Sequence, residues 1–240
     1  MSKNLKMFLG FVYLLLLFSF LYFIFTIIDL GRLDDFTYYK ELQSDLNIYI
    51  SSNVFTNLIY FFIFAIIWVT LLGFGSPILI ISGILFGQII GTVVSVISIS
   101  IGALILYSIG NFFFRDLVKS ILEKKFNRYI QLFKKNEFFY FFIYRFIGGL
   151  GVPFGLQNLI PILFGMKKTN YFFASFFGFI PGFFIINTIG AGLNNYISEA
   201  DNFSMIDFIF TPEIYLPIIM FSFLMFFSII IKKKFFDDTN

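Results

Sequence analysis

The chain contains no cysteine and no histidine. Together these absences exclude disulfides, thiol nucleophiles, Cys/His metal sites and imidazole acid-base chemistry. Charge is also scarce, at 13% of residues, about half of what a soluble domain of roughly 25% charged residues carries. No polar segment is long enough to form a second, water-soluble domain, and no pair of residues reads as a catalytic couple. The chain is therefore expected not to be an enzyme and to need neither metal nor cofactor.

What is present is apolar. Hydrophobic residues make up 59% of the sequence, 41 of the 240 residues are phenylalanine, and the mean hydropathy is +0.90. Such a composition predicts an all-α polytopic membrane protein folded as one membrane domain over 1–240. The formal net charge of +3 is small, so the position of each charge carries more information than their sum.

Lys3 and Lys6 precede an apolar run from Met7 to Ile28 with no small-residue cleavage site after it, which predicts a retained N-terminal transmembrane helix. From Asp29 to Asn53 the chain turns polar and acidic, with Phe36, Tyr39, Leu42, Leu46, Tyr49 and Ile50 near helical spacing, as in an amphipathic helix on the membrane surface; a plain solvated loop is the alternative. Val54–Leu72 is apolar and is broken at Gly73, Gly75 and Pro77. A second division at Gly87 leaves a spanning helix from about Gln88 to Gly110, whose small residues favour close helix packing.

The stretch 111–136 is the basic one. Arg115, Lys119, Lys124, Lys125 and Arg128 lie there beside an apolar face, and predict an interfacial helix contacting anionic lipid headgroups, not nucleic acid. Positive-inside topology alone would also explain them. Further on, 170–193 and 214–231 predict two more spans, the first interrupted by Pro181-Gly182 and the last closed by Lys232, Lys233 and Lys234. Asn202-Phe203-Ser204 fits a glycosylation sequon, which matters only in a secretory compartment.

The organising stretch is 137–168. It is an apolar block too long for one straight span, it is broken by Gly148, Gly149, Gly151 and Pro153, and it carries Arg145 as the one ionised side chain between Phe138 and Met166. Backbone that leaves the helix at membrane depth is tolerated only where protein buries it or a wet cavity meets it. With basic ends assigned to the cytoplasm, both ends of this block lie on the same side, which predicts a re-entrant hairpin. The same logic predicts a hairpin over 54–86 entering from the opposite side, with a full crossing by Val54–Leu72 as the alternative. About four full spans result.

The two hairpins also read alike: Gly75-Ser-Pro77 then Ile84-Leu-Phe-Gly87, against Gly151-Val-Pro153 then Ile162-Leu-Phe-Gly165. Paired Gly/Pro-interrupted segments point to an inverted repeat with a site where the tips meet, and Gly87 and Gly165 become the links from hairpin to span.

Tyr144-Arg145, Val152-Pro153-Phe154, Asn158 and Gly165, after the upstream Gly75-x-Pro77, Phe86-Gly87 and Gly91, resemble the DedA superfamily, and within it the SNARE-associated Golgi protein branch, also called the VTT domain, over about 72–192. The resemblance implies two opposed re-entrant hairpins and a role in moving lipids across bilayers: phospholipid scrambling in eukaryotic members, polyprenyl-phosphate recycling and membrane homeostasis in bacterial ones. It implies an integral protein of the bacterial inner membrane. The charge pattern puts both termini in the cytoplasm; a homo-oligomer is possible.

By their chemistry, Arg145, Gln157 and Asn158 are the candidate headgroup site. An intramembrane charge is expensive unless it faces a partner or a cavity, and a guanidinium fork suits phosphate. Snorkelling of Arg145 to the interface is the competing reading, since Glu137 lies only about 12 Å away by helical rise. Three functions follow: a lipid scramblase, a secondary transporter of a small anion, or a membrane scaffold. No carboxylate stands between Val54 and Gly110 to couple transport to protons.

Overall fold

The computed structural model describes residues 3–27, 35–200 and 204–232, all of whose regular elements are helical. The acidic residues of 29–34, Asn202 and Phe203 of the sequon, and Lys233 and Lys234 lie outside the described residues, as do the side chains of Lys119, Lys124, Lys125 and Arg128.

The N-terminal helix α1 (Lys3–Ile27) and the surface helix α2 (Phe36–Ser52) precede α3 (Val54–Leu72). Asn53 caps α3 by accepting the Thr56 N–H, and Gly73 ends it in the left-handed conformation. At 19 residues α3 is long enough to cross a membrane, which makes it much longer than a hairpin arm needs to be. Helix α4 (Ser76–Lys135) is one 60-residue element broken at Gly87, where φ is 73° and ψ −179°. The sequence division at Gly87 thus coincides with a real departure from helix.

After Gly87 the helix does not stop at Gly110. No glycine or proline lies between 111 and 135 to end it, and the basic stretch follows on α4 with no non-helical residue between them. It does not run straight, however. Gly110 packs against Leu159 and Ile162, while Phe133 stacks on Phe164 with ring centroids 4.3 Å apart. A straight helix would carry positions 110 and 133 about 35 Å apart, so the basic stretch turns back to the base of the following hairpin.

That hairpin consists of α5 (Glu137–Phe146), a 3-10 turn (Gly148–Gly151), α6 (Phe154–Leu159) and α7 (Pro161–Phe164). Asn136 caps α5 by accepting the Phe139 N–H. Helices α8 (Lys168–Glu199), α9 (Met205–Phe210) and α10 (Pro212–Lys232) complete the chain. Four described helices are long and apolar enough to span a membrane: α1, α3, α4 as far as Asp116, and α8. The expected 214–231 span falls within α10, whose described apolar part is Pro212–Phe223.

The antiparallel pair α4 and α8 forms the centre of the protein, with α3 and α5 packed on it. Glycines make this closeness possible. A Cβ on Gly102 would meet the Ile66 carbonyl oxygen and the Val69 Cβ, both at 2.9 Å. A Cβ on Gly178 would meet the Phe142 carbonyl oxygen at 3.0 Å and the Arg145 Cβ at 2.5 Å. The returning arms are exchanged: Gly110 of α4 faces Leu159 and Ile162 of α6 and α7, and Gly190 of α8 faces Ile80 and Gly83 of α4. The two arm tips meet backbone to backbone, for a Cβ on Gly155 would lie 3.0 Å from the Gly73 carbonyl oxygen.

Peripheral helices hold this core loosely. Helix α1 packs Phe20 against Phe64 and Trp68, and its Tyr13 hydroxyl reaches the Thr70 and Leu71 carbonyls at the end of α3. Over the far end of α8, Gln43 of α2 donates to the Asn194 carbonyl and to its side-chain oxygen, each at 2.9 Å.

Candidate functional site

Arg145 lies on the last turn of α5 and is 3% exposed. Its Nη1 donates to Gln157 Oε1 at 3.0 Å; its Nη2 donates to Asn158 Oδ1 and to the Tyr171 hydroxyl, the latter at 3.0 Å. The guanidinium sits 4.8 Å from the ring centroids of both Phe141 and Phe179 and 5.4 Å from that of Phe154. It does not snorkel. Its partners are neutral oxygens and aromatic faces, and no carboxylate among the described residues pairs with it. Three of its five N–H groups are engaged, and Nε is buried with no partner among the described residues.

Gln157 connects this cation to the hairpin tip. Its Nε2 donates to the Val152 carbonyl at 2.6 Å and to the Gly148 carbonyl at 3.3 Å, while its Oε1 accepts from Arg145. Carbonyls freed where the chain leaves the helix are thereby satisfied by protein. A side chain at position 149 would occupy the space of this amide, and φ there is +73°, so only glycine fits. Gly148 and Gly151 also have positive φ, as do Gly73, Gly87 and Gly165; Gly75 caps the N-terminus of α4 with Pro77 in its first turn, and Pro153 caps α6.

The structure thus brings Arg145, Gln157 and Asn158 into one hydrogen-bonded group. Sequence reading missed its fourth member. Tyr171 is fully buried on α8, donates to Asn158 Oδ1 at 3.1 Å, and is stacked between Tyr107 at 4.5 Å and Phe141 at 5.2 Å. Tyr107 in turn donates to the Met166 carbonyl at 2.7 Å. One tyrosine among 13 in an apolar chain gives no local signal of this role. Glu137, expected at the boundary, is a clasp: its Oε1 accepts the Lys167 N–H at 3.1 Å and the Asn170 amide at 2.6 Å, tying the start of α5 to the start of α8. Of the basic residues expected to meet lipid headgroups, Arg115 is exposed.

Beside the guanidinium is a cavity of about 270 Å³ at the meeting of the tips. Arg145, Gln157 and Ser76 supply its polar lining; Phe154, Phe179 and Phe221 are among its apolar walls. A single buried cation facing such a space can receive one anionic group and little else.

Compared with known protein families, the chain matches the VTT domain over residues 73–192, half of its length. It belongs to the VTT-domain family. This is the domain of the DedA and SNARE-associated Golgi proteins. No curated protein and no solved structure matches the chain. The VTT segment begins at the first tip and ends within α8, so it contains the whole Arg145 group and the break at Gly87, while α1, α2, α3, α9 and α10 lie outside it. Family and apolar helices together make this an integral membrane protein.

Proposed function

We propose that this VTT-domain protein moves phosphate-bearing lipids between the leaflets of a bilayer, with Arg145 attracting the headgroup where the two tips meet. The observation that carries this reading is the unpaired charge. A buried cation is normally paired or hydrogen-bonded to an anion, because the cost of removing it from water is otherwise uncompensated. Here the compensation comes from neutral acceptors and ring faces, and the Nε–H has no acceptor among the described residues. Gln157, Asn158 and Tyr171 hold the fork in place, so that an arriving phosphate meets a donor already oriented.

In this reading the two tips belong to re-entrant hairpins of an inverted repeat, supported by the matched contacts of Gly102 with Gly178 and of Gly110 with Gly190. Basic ends face the cytoplasm, both termini included, and the membrane is the bacterial inner membrane. Exposed Arg115 and the basic residues Lys119, Lys124, Lys125 and Arg128 after it contact anionic headgroups on that side. No carboxylate lies at the tips, so movement is downhill.

The test is reconstitution of the purified protein into vesicles with fluorescent phospholipid and polyprenyl-phosphate probes and no ion gradient. Wild-type protein is expected to equilibrate at least one probe between leaflets faster than empty vesicles do. Arg145→Ala should slow exchange roughly 10- to 100-fold, the scale of a charge-assisted hydrogen bond of about 1.5–3 kcal/mol. Arg145→Lys should be intermediate, keeping charge but losing the fork. Uptake of a small anion without lipid movement would replace this reading with a transporter, and movement of neither would leave a scaffold.

A further inference from the structure

Of the described glycines outside the left-handed region, Gly182 is the one with no atom within 4 Å of where a Cβ would lie. All the others either adopt a positive φ or have a neighbouring atom within 4 Å of where a Cβ would lie. Around Gly182 there is open space and its φ is not in the left-handed region. It stands inside α8 directly after Pro181, two poor helix formers in succession, and glycine in a helix interior is less stable than alanine. A residue that weakens its helix without enabling a turn or a close approach is explained by the space it leaves. Gly182 lines the Arg145 cavity, with Phe221 among the other walls.

Size points the same way. The cavity of about 270 Å³ is many times the roughly 10–15 Å³ that admits one water, whereas a phosphate has five heavy atoms. The remaining volume is bounded by Phe179, Phe183, Ile186 and Phe221, an apolar wall. Gly178, one turn earlier, cannot be the variable position, because its Cβ would collide with that of Arg145.

We propose that Gly182 sets the size of the binding cavity, and that the absent side chain makes room for the first apolar carbons attached to a phosphate held by Arg145. The ligand is then a phosphate monoester or diester on an alkyl or prenyl chain, not free phosphate. This rests on the reading of Arg145 as an anion site. A Cβ and further carbons at position 182 project into the cavity, where they compete with the chain and leave the Arg145 hydrogen bonds intact.

The experiment measures binding of two water-soluble probes, butyl phosphate and inorganic phosphate, to the purified full-length protein in detergent by calorimetry. Wild-type protein should bind butyl phosphate the tighter. Gly182→Leu should weaken butyl phosphate by at least about tenfold, a change of about 1.4 kcal/mol, with little effect on inorganic phosphate, and Gly182→Ala should fall between. Phe221→Ala, which trims another wall, should restore butyl phosphate binding in the Gly182→Leu background. Unchanged butyl phosphate affinity in Gly182→Leu overturns the role of Gly182 while leaving the anion site standing. Wild-type protein that binds neither probe overturns both. Should Gly182→Leu fail to fold, Phe221→Ala alone decides: it should gain affinity for octyl phosphate over wild type, and no gain overturns the proposal.

Discussion

Val69 and Arg145 make similar contacts in the core. Each directs its Cβ at a glycine of the long helix that follows, Gly102 for Val69 and Gly178 for Arg145, and each stands four residues before a positive-φ glycine of its tip, Gly73 or Gly149. The first place is filled by a fully buried valine. The second holds a guanidinium, three polar partners and a cavity. Because a valine makes such a contact at the first place, the contact does not of itself call for a charge at the second. The arginine is an addition to the scaffold, which is why we read it as functional.

The harshest test of that similarity is to put a methyl on each glycine. Gly102→Ala places a Cβ against backbone oxygen and the Val69 Cβ, and Gly178→Ala does the same against Phe142 and Arg145. Overpacking of this kind costs typically about 1–3 kcal/mol, and the 2.5 Å approach at Gly178 makes it the worse of the two. Both variants should therefore unfold at lower temperature or detergent denaturant than wild type, and Gly178→Ala should also lose lipid movement because Arg145 must shift. If Gly102→Ala unfolded like wild type, the two contacts would not be equivalent and the internal repeat would lose its best support.

Much of this comparison was legible in the sequence. The breaks at Gly73–Pro77, Gly87, Gly148–Pro153 and Gly165 are local events, since positive φ and a missing N–H are properties of single residues. Arg145, Gln157 and Asn158 stood out because polar side chains are rare and expensive in an apolar block. What could not be read is what depends on three-dimensional meeting. Tyr171 joins the site across a helix pair, and no spacing links it to Asn158. Gly178 and Gly182 are only one turn apart and look alike in sequence, yet a Cβ on the first would collide with that of Arg145 and a Cβ on the second would meet nothing within 4 Å. The basic stretch expected as a helix after Gly110 is helical, and its turning back toward Phe164 has no glycine or proline to announce it.

A gentler comparison sets the two stacked tyrosines against each other. Tyr171→Phe keeps the ring between Tyr107 and Phe141 and removes a hydroxyl that meets both Arg145 and Asn158. Tyr107→Phe keeps the same stack and removes one bond to the Met166 carbonyl. Hydrogen bonds between membrane helices average only about 0.6 kcal/mol, so both variants should fold with small losses of stability. Lipid movement separates them: it should drop several-fold in Tyr171→Phe, where the guanidinium loses a partner, and stay near wild type in Tyr107→Phe. Equal activity in the two variants would mean that the Arg145 posture does not depend on Tyr171.

The smallest effect on lipid movement is expected at Val69 itself. Val69→Thr keeps the branched shape and adds a hydroxyl that can bond the carbonyl one turn back, as Thr188 does to Phe184 at 2.8 Å. Burying the hydroxyl should cost about 1–3 kcal/mol of stability, because Val-to-Thr is not a volume-conserving exchange, and should leave lipid exchange at the wild-type rate. Arg145→Thr should nearly abolish it. The contrast matters more than either value, since thermal unfolding of the two proteins can be matched before the rates are compared. A valine place that proved as sensitive as the arginine place would show that both halves of the core work on the ligand. The cavity beside Arg145 would then be one of two sites, and the asymmetry between the halves would be a matter of sequence without functional weight.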